Sequence, residues 1–396
     1  MKNALVLQSG GPTSVINSSL YGVIEEVNNH KDIIDKLYAS IYGIDGLIND
    51  ELIDITSYDG SNLINTPGAI IGSTRHVLSA DINDRLYDLI INNLIKYNIG
   101  YFYIIGGNDS MDTANKMHIY LKDKNIDIKV IGIPKTIDND IEGIDHTPGF
   151  GSAAKYVINA LTLLKEDMSS YKKGRVTVVE IMGRDSGWLT ACAKLVSSVD
   201  LIIIPEVPFD MDDFLIKVEE IYKKKQSVLV CVSEGIKNSD NEYISSLYFK
   251  NEHDDFNHIQ LGGVSHILTS FISKKLKLNV RAIELNLLQR CFSIINSKRD
   301  VMEAINCGKK AVLYSLTSES GKMVTMKRSS SKEYNIDFDL VDLNISANNV
   351  KKLPNKYISG RYDISDSYKE YVLPLIEGEI YPTYENGIIK LSKKLY

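Results

Sequence analysis

The densest group of reactive side chains in the sequence is a polar segment that directly follows an apolar run. Pro134 leads into Lys135, Thr136, Asp138 and Asp140, so that two carboxylates stand two positions apart beside a cation. Phosphoryl transfer needs a group that orients and deprotonates the attacking hydroxyl, and it needs a cation and a metal ion to hold the phosphates. The two acids suit the first task and metal contact, and the lysine suits the second. A solvated turn could carry the same acids without function, but the adjacent Lys and Thr favour a site.

Two glycine pairs stand between an apolar run and a helical pattern, at positions 10–11 and 106–107. Glycine lets a phosphate approach the backbone closely, and the following helix N-terminus offers free N–H groups and a positive dipole. Asn108 and Asp109 directly follow the second pair and add oxygens that could contact a metal. Glycine can also serve turn geometry alone, and Asp109 or Ser110 can simply cap the helix, so these readings stay open. Neither pair leads into the Gly-Lys-Ser/Thr of a P-loop.

Four arginines lie at or just beyond the ends of predicted strands: Arg175, Arg184, Arg281 and Arg290. The planar guanidinium can bind a phosphate through two parallel hydrogen bonds. For any single arginine a surface ion pair is the simpler explanation, because such pairs are common and weak. Four of them at strand ends favour a phosphate clamp.

The elements that must position these residues alternate between short β-branched runs and longer helical patterns. The predicted strands are Ala4–Gln8, Tyr101–Ile105, Lys129–Ile133, Arg175–Ile181, Leu201–Ile204, Ser227–Val232 and Val280–Leu285. The predicted helices are Ser14–Asn28, Asp109–Leu121, Ser152–Leu164, Met211–Lys224 and Asp300–Val312. This alternation predicts an α/β protein with parallel sheets covered by helices. Such sheets bind ligands beyond the carboxyl ends of their strands, where the polar segments stand.

Composition excludes several classes of protein. The 396 residues carry 45 basic and 51 acidic side chains, a net charge of −6, so no basic footprint for nucleic acid is present. No apolar run approaches the ~20 residues of a membrane span. The four cysteines form no CxxC pair, which argues against a zinc site and a disulfide framework. We therefore expect a cytoplasmic protein with reduced thiols and without a nucleic-acid or membrane partner.

Taken together, the sequence resembles the phosphofructokinase family, and within it the pyrophosphate-dependent branch. The resemblance runs in order through residues 1–315 and is carried by QSGGPTSVINSSL, TPGAIIGSTR, IGGNDSMDT, PKTIDNDI, TPGFGSA, EIMGRDSGWLTA, VSEG, LGGVSH and ELNLLQRC. It implies two Rossmann-like three-layer α/β domains with mainly parallel sheets and an active site between them. The expected phosphoryl-donor (large) domain is 1–149 with about 289–345, and the expected sugar-phosphate (small) domain is 150–288 with about 346–396.

The resemblance also implies a reaction. Pyrophosphate would donate a phosphoryl group reversibly to the 1-hydroxyl of fructose 6-phosphate in glycolysis, giving fructose 1,6-bisphosphate and phosphate. Mg²⁺ would be the cofactor, and the active form would be a homodimer or homotetramer.

Roles for individual residues follow from the same resemblance. Asp138 would take the proton of the 1-hydroxyl, Lys135 would hold pyrophosphate and the leaving phosphate, and Arg184 would stabilise charge on the transferred group. Fructose 6-phosphate would be bound by Thr136, Asp140, Arg175, Met182, Gly183, Glu234, Arg281 and Arg290. The donor would be bound by Gly11, Arg75, Gly107, Asp109 and Lys135, and the metal by Asn108 and Asp109. Arg175 would reach in from a neighbouring subunit, as in family oligomers.

Two positions bear on the choice of donor. ATP-using members usually have glycine where this chain has Asp109 and Lys135. The resemblance implies that the Asp109 carboxylate occupies and repels the place of an ATP α-phosphate, since like charges in a partly desolvated site cost several kcal/mol. Two other positions depart from the family. Asn108 stands where many members have a metal-binding Asp, and Leu287 stands where bacterial ATP enzymes have a His that contacts the sugar phosphate.

Two alternatives remain at this point. The first is an ATP-dependent 6-phosphofructokinase on the same fold. The second is a catalytically silent homologue that binds sugar phosphates, which Asn108 favours and which an intact Asp138 and the four arginines oppose.

Overall fold

The computed structural model describes residues 1–248, 261–329 and 333–396. The strands within these residues are β1 Lys2–Gln8, β2 Ile34–Ser40, β3 Leu52–Asp54, β4 Ile99–Gly106, β5 Lys129–Pro134, β6 Val176–Ile181, β7 Leu201–Ile203, β8 Val228–Ser233, β9 Val280–Glu284, β10 Lys322–Arg328, β11 Ile336–Asp342, β12 Tyr384–Glu385 and β13 Ile388–Ile389.

The helices in the same residues connect and cover these strands. They are α1 Ile16–Asn29, α2 Ile44–Ile48, α3 Arg85–Lys96, α4 Asn108–Asp123, α5 Phe150–Ser169, α6 Trp188–Ala191, α7 Met211–Lys225, α8 Val264–Leu276, α9 Leu288–Cys291, α10 Lys298–Leu316, α11 Leu343–Ser346 and α12 Ser367–Val372.

The larger sheet has the strand order β11-β10-β5-β4-β1-β2-β3. Its pairs from β10 to β2 are parallel, and the two edge strands, β11 and β3, pair antiparallel. β1, β4 and β5 are almost wholly buried because helices such as α4 and α10 pack against them, which is why they are nearly all apolar. Register brings their carboxyl ends together, with Gln8 beside Ile105 and Gly106 beside Pro134.

The smaller sheet has the order β7-β8-β6-β9 and is parallel throughout. β6 and β8 are buried at every position, and separate apolar clusters pack around them. β9 lies at the edge, and its side chains are exposed or half-buried. The two sheets with their covering helices give the α/β architecture with mainly parallel sheets that the sequence predicts, so that prediction is confirmed.

All seven predicted strands and five predicted helices are present, with ends shifted by a few residues. The apolar runs did not indicate the edge strands β3 and β11, their neighbours β2 and β10, the helices α3 and α8, or the short elements α2, α6, α9, α11, α12, β12 and β13. The edge strand β11 alternates half-buried and exposed residues, a weaker signal than a continuous apolar run.

The division into two domains remains a prediction, and one segment that we expected in the small domain contacts the larger sheet. Near the chain end, which we expected with the smaller sheet, Leu395 donates its backbone N–H to the Ile70 carbonyl at 3.1 Å and packs against the core of the larger sheet. Within the described residues, none of the helices combines the length and the apolar character that crossing a bilayer requires.

Candidate active site

A cavity of about 420 Å³ lies where the carboxyl ends of β1, β4 and β5 face those of β6 and β8. It collects most of the residues that the sequence singled out. The lining residues are Gly10, Gly11, Pro12, Thr13, Arg75, Gly107, Asn108, Asp109, Ser110, Lys135, Thr136, Ile137, Asp138, Asp140, Met182, Arg184, Asp185, Glu234, Arg290, Asn348 and Val350.

The first glycine pair brings a cation and two guanidiniums close to bare backbone. Lys135 donates from Nζ to the Gly11 carbonyl at 2.7 Å. A Cβ on Gly11 would lie 2.8 Å from Nη1 of Arg290, which would have to move, and 3.7 Å from Nη2 of Arg75, an ordinary contact distance. Gly10 has φ +75°, a conformation that favours glycine. Three positive groups therefore surround one short stretch of backbone, as an anion with several charges would require.

Burial lowers the pKa of Lys135 to about 8, because an ammonium loses hydration in the cavity wall. Nearby Arg290 and Arg75 push the pKa in the same direction, whereas Asp138 and Asp140 oppose them. The protonated ammonium of Lys135 is therefore less stable in this cavity than it would be in water.

The second glycine pair opens helix α4, and the helix cap is Gly107 rather than an acidic side chain. The interpretation in which Asp109 or Ser110 caps the helix is therefore wrong; Asp109 lies in the first turn, where the helix dipole favours a negative charge. Gly106 is required by close approach, since a Cβ there would lie 2.1 Å from the Ser110 hydroxyl oxygen. Asp109 thus reaches the cavity from the first turn of a partly buried helix.

Two acids of the polar segment line the cavity on either side of Asn139. Burial raises the pKa of Asp138 above its usual range, against the attraction of Arg184, Lys135 and Arg290. Burial and the nearby Asp138 carboxylate raise the pKa of Asp140 to about 7. A carboxylate whose proton affinity is raised is suited to accept a proton from a hydroxyl.

Two oxygens in this part of the cavity are buried and have no hydrogen-bond partner among the described residues, Oδ1 of Asn108 and Oδ1 of Asp138. The Asn108 amide nitrogen donates to Oδ2 of Asp140 at 3.2 Å, which fixes the amide and turns its oxygen away from that acid. Amide and carboxylate oxygens are the ligands of hard cations such as Mg²⁺. Within the described part of the chain, no cluster of three His, Cys, Asp or Glu side chains could hold a metal alone. A Mg²⁺ ion would fit here only with water or phosphate oxygens completing its shell.

The opposite wall of the cavity comes from the loops after β6 and β8. Gly183 donates its backbone N–H to Oε1 of Glu234 at 3.3 Å, and burial raises the pKa of Glu234 to about 7. Met182, Arg184 and Glu234 line the cavity, whereas Gly183 stands behind them and supports the carboxyl group.

Two of the four arginines are absent from the lining. Arg175 precedes β6, and Arg281 lies near the start of β9 and pairs in register with Thr177, so both stand at the amino ends of their strands. Arg175 stacks on Tyr171, with 4.8 Å from its guanidinium carbon to the ring centroid. Proximity to a strand end was the sequence argument for all four arginines, and the structure divides them between opposite ends of the sheet.

The structure adds residues that the sequence reasoning missed. Asp185 lines the cavity beside Arg184 and accepts hydrogen bonds from Lys237 at 2.8 Å and Tyr243 at 2.7 Å. Its place in the GRDSGW stretch was an available signal. Asn348 and Val350 gave none, because they come from a segment remote from every motif.

Comparison with known proteins finds relatives that match almost the whole chain. A family model described as phosphofructokinase matches residues 3–314. The chain is 34% identical to the pyrophosphate–fructose 6-phosphate 1-phosphotransferase of Halomonas elongata, with 99% of this chain and 96% of that protein covered. A sulfofructose kinase of Alkalicoccus urumqiensis is 31% identical over 93% of this chain and 94% of its own length.

Among solved structures, the pyrophosphate-dependent phosphofructokinase of Nitrosospira multiformis superposes with a TM-score of 0.89 at 34% identity, covering 99% of this chain and 96% of that one. The family model and these full-length similarities agree with the resemblance carried by the motifs, and the chain belongs to the phosphofructokinase family.

Proposed function

We propose that this protein is a pyrophosphate–fructose 6-phosphate 1-phosphotransferase. The single observation that carries the proposal is the position of Lys135, whose ammonium bonds the Gly11 carbonyl in a cavity that Asp109 and Asp138 also line. Relatives of the same length that carry this name support it. The cavity has room for a small inorganic donor beside a sugar phosphate, and Lys135, Arg75 and Arg290 in its lining supply positive charge for phosphates.

In the proposed reaction the 1-hydroxyl of fructose 6-phosphate attacks one phosphorus of pyrophosphate. Asp138 accepts the hydroxyl proton as the new O–P bond forms and the bridging P–O bond breaks, which releases phosphate. Lys135 and Arg75 bind the donor and neutralise the phosphate that leaves. Arg184 faces the transferred group and stabilises its charge.

The sugar phosphate is proposed to lie against the wall formed by Met182, Glu234 and Arg290. Glu234 accepts a hydroxyl hydrogen bond, Arg290 holds the 6-phosphate, and Thr136 and Asp140 orient the sugar. Asn108 and Asp109 would hold Mg²⁺, which when bound neutralises phosphate charge. We propose that the 1–149 and 289–345 parts form the donor domain and the remainder the sugar-phosphate domain, in a cytoplasmic dimer or tetramer.

The test is a set of parallel assays on the purified full-length chain with Mg²⁺. Fructose 6-phosphate with pyrophosphate should give fructose 1,6-bisphosphate, and the reverse reaction should consume fructose 1,6-bisphosphate and phosphate. ATP should support no comparable rate. Because one relative is named a sulfofructose kinase, sulfofructose is included as an acceptor and should react more slowly than fructose 6-phosphate.

Each alternative has its own outcome in these assays. Turnover with ATP but not with pyrophosphate would overturn the donor assignment, and preference for sulfofructose would overturn the acceptor assignment. Binding of fructose 6-phosphate in calorimetry without turnover by either donor would identify a silent homologue.

A further inference from the structure

A segment remote from every motif, residues 347–351, closes one side of the cavity. Asn348 and Val350 line the cavity itself. Val350 pairs with Ile141 in an antiparallel bridge, and the Lys351 backbone N–H donates to the Asp140 carbonyl at 2.8 Å. The segment therefore runs beside the chain at the point where it leaves the second acid of the polar segment.

The Lys351 side chain also hydrogen-bonds the turn formed by residues 139–145. Its ammonium donates to the carbonyls of Ile144 and Asp145, both at 2.9 Å, and to Oδ1 of Asn139 at 3.3 Å. It also lies 4.9 Å from the centroid of the Trp188 indole, whose Nε1 donates to the Lys351 carbonyl at 2.9 Å. An ammonium has three N–H donors, and three oxygens of one loop accept them.

The turn held in this way has a conformation that needs support. Asn139 stands between the two cavity acids with φ +54°, in the left-handed region, and is fully buried. A non-glycine residue in this region costs on the order of 1 kcal/mol and persists when its surroundings determine it. The Asn139 amide donates to the Tyr371 hydroxyl at 2.8 Å, and its oxygen accepts from Thr147 N–H at 3.0 Å as well as from Lys351. Lys351 is thus the one charged group among the described hydrogen-bond partners that hold the Asn139 side chain in place.

We propose that Lys351 is a positioning residue for phosphoryl transfer: its ammonium fixes the Asn139 turn and thereby the directions of the Asp138 and Asp140 carboxylates. The inference rests on the proposed function, because it assigns Asp138 as the base. Lys351 hydrogen-bonds neither acid side chain among the described residues and holds the turn through the backbone and Asn139, while its charge also attracts the Asp140 carboxylate. Displacing a base by about 1 Å can cost a factor of 10² in rate, so loss of this support should appear mainly in kcat.

The test compares Lys351→Met with Lys352→Met, a matched control at the next position, where the side chain is exposed. Lys351→Met should lower kcat by about 10- to 100-fold and change KM for either substrate by less than about threefold. Lys352→Met should match the wild type. A Lys351→Met protein with a lowered melting temperature but a wild-type kcat would overturn the proposal, because that is the pattern of a purely structural lysine.

Asn139→Gly provides a second route if Lys351→Met does not fold, because glycine tolerates the positive φ while removing the acceptor. It should lower kcat. Where Lys351→Met does fold, the double variant should lose less than the product of the two single losses. Full multiplicativity, or a wild-type kcat in Asn139→Gly, would contradict action through this turn.

Amide hydrogen exchange of residues 138–147 separates this inference from the proposed function. Lys351→Met should increase exchange in that segment and Lys352→Met should not, whether or not the wild type turns over pyrophosphate. Unchanged exchange would overturn the positioning role, whereas an inactive wild type with increased exchange in Lys351→Met would overturn only the proposed reaction.

Discussion

The donor side and the sugar-phosphate side of the cavity differ in how many of their assigned residues line the cavity within a single chain. All five residues that we assign to pyrophosphate line the cavity. Gly11, Gly107, Asp109 and Lys135 follow the neighbouring strands β1, β4 and β5, and Arg75 lies in a separate loop. Of the three arginines that we assign to the sugar phosphate, only Arg290 lines it. Arg175 and Arg281 lie at the amino ends of β6 and β9, and β9 is an exposed edge strand.

This difference follows from the end of each strand at which the assigned residues stand. β1, β4 and β5 are adjacent and parallel, so their carboxyl ends and the loops beyond them meet in one place within one chain. Arg175 and Arg281 belong to the smaller sheet, where they stand at the amino ends of β6 and β9, opposite the carboxyl ends that border the cavity. We propose that these two arginines take part in the reaction only from a second copy of the chain, as the family resemblance implies for Arg175.

The largest expected effect concerns the acid shared by both halves. Asp138→Asn keeps the shape of the side chain and removes the base, so kcat should fall by about 10²- to 10⁴-fold. Calorimetry should show that fructose 6-phosphate still binds. A loss of less than about tenfold would mean that another group takes the proton.

A smaller effect is expected on the sugar-phosphate side. Arg290→Ala and Arg281→Ala should each raise KM for fructose 6-phosphate by about 10- to 100-fold, as loss of a charge-assisted hydrogen bond would. The measurement is steady-state kinetics at saturating pyrophosphate.

Mixing variants separates the two arginines. If Arg281 serves the site of another copy, mixed oligomers of Arg281→Ala and Asp138→Asn chains contain one site with both residues intact and regain activity. Arg290→Ala mixed with Asp138→Asn should gain nothing, because both residues belong to one site. If both mixtures regain activity, or if neither does, Arg281 and Arg290 do not differ in which copy of the chain they serve.

The smallest expected effect is a pH dependence on the donor side. Lys135 binds pyrophosphate as a cation, and with a pKa of about 8 it is protonated below that pH and loses its charge above it. The kcat/KM for pyrophosphate should therefore fall about tenfold from pH 7 to pH 9. Lys135→Arg stays charged throughout and controls for ionisation of the substrates, so its profile should lack this decline. Parallel profiles for both proteins would assign the decline elsewhere.

The sequence predicted the site residues that stand together in one short segment. Asp138 and Asp140 stand in one short segment after an apolar strand, and strand pairing alone brings that segment to the glycine loops. Asn348, Val350 and Lys351 were out of reach, because only the fold brings residue 351 next to residue 140.

The fold shows the same limit. Buried parallel strands such as β4 gave continuous apolar runs, whereas the edge strand β11 alternates and gave no clear signal. For Arg175 and Arg281, the sequence indicated a strand end without telling which end faces the ligand.

We propose that Asp109 and Lys135 select the donor by charge, and an Asp109→Gly, Lys135→Gly double variant removes both charges at once. The measurement is the ratio of kcat/KM for pyrophosphate to kcat/KM for ATP, with KM for fructose 6-phosphate as the control for an intact acceptor side. Removing a like-charge contact worth a few kcal/mol and a donor cation should lower this ratio by at least about 10²-fold, with a gain in ATP use. A ratio within about twofold of the wild type would show that these two charges do not select the donor.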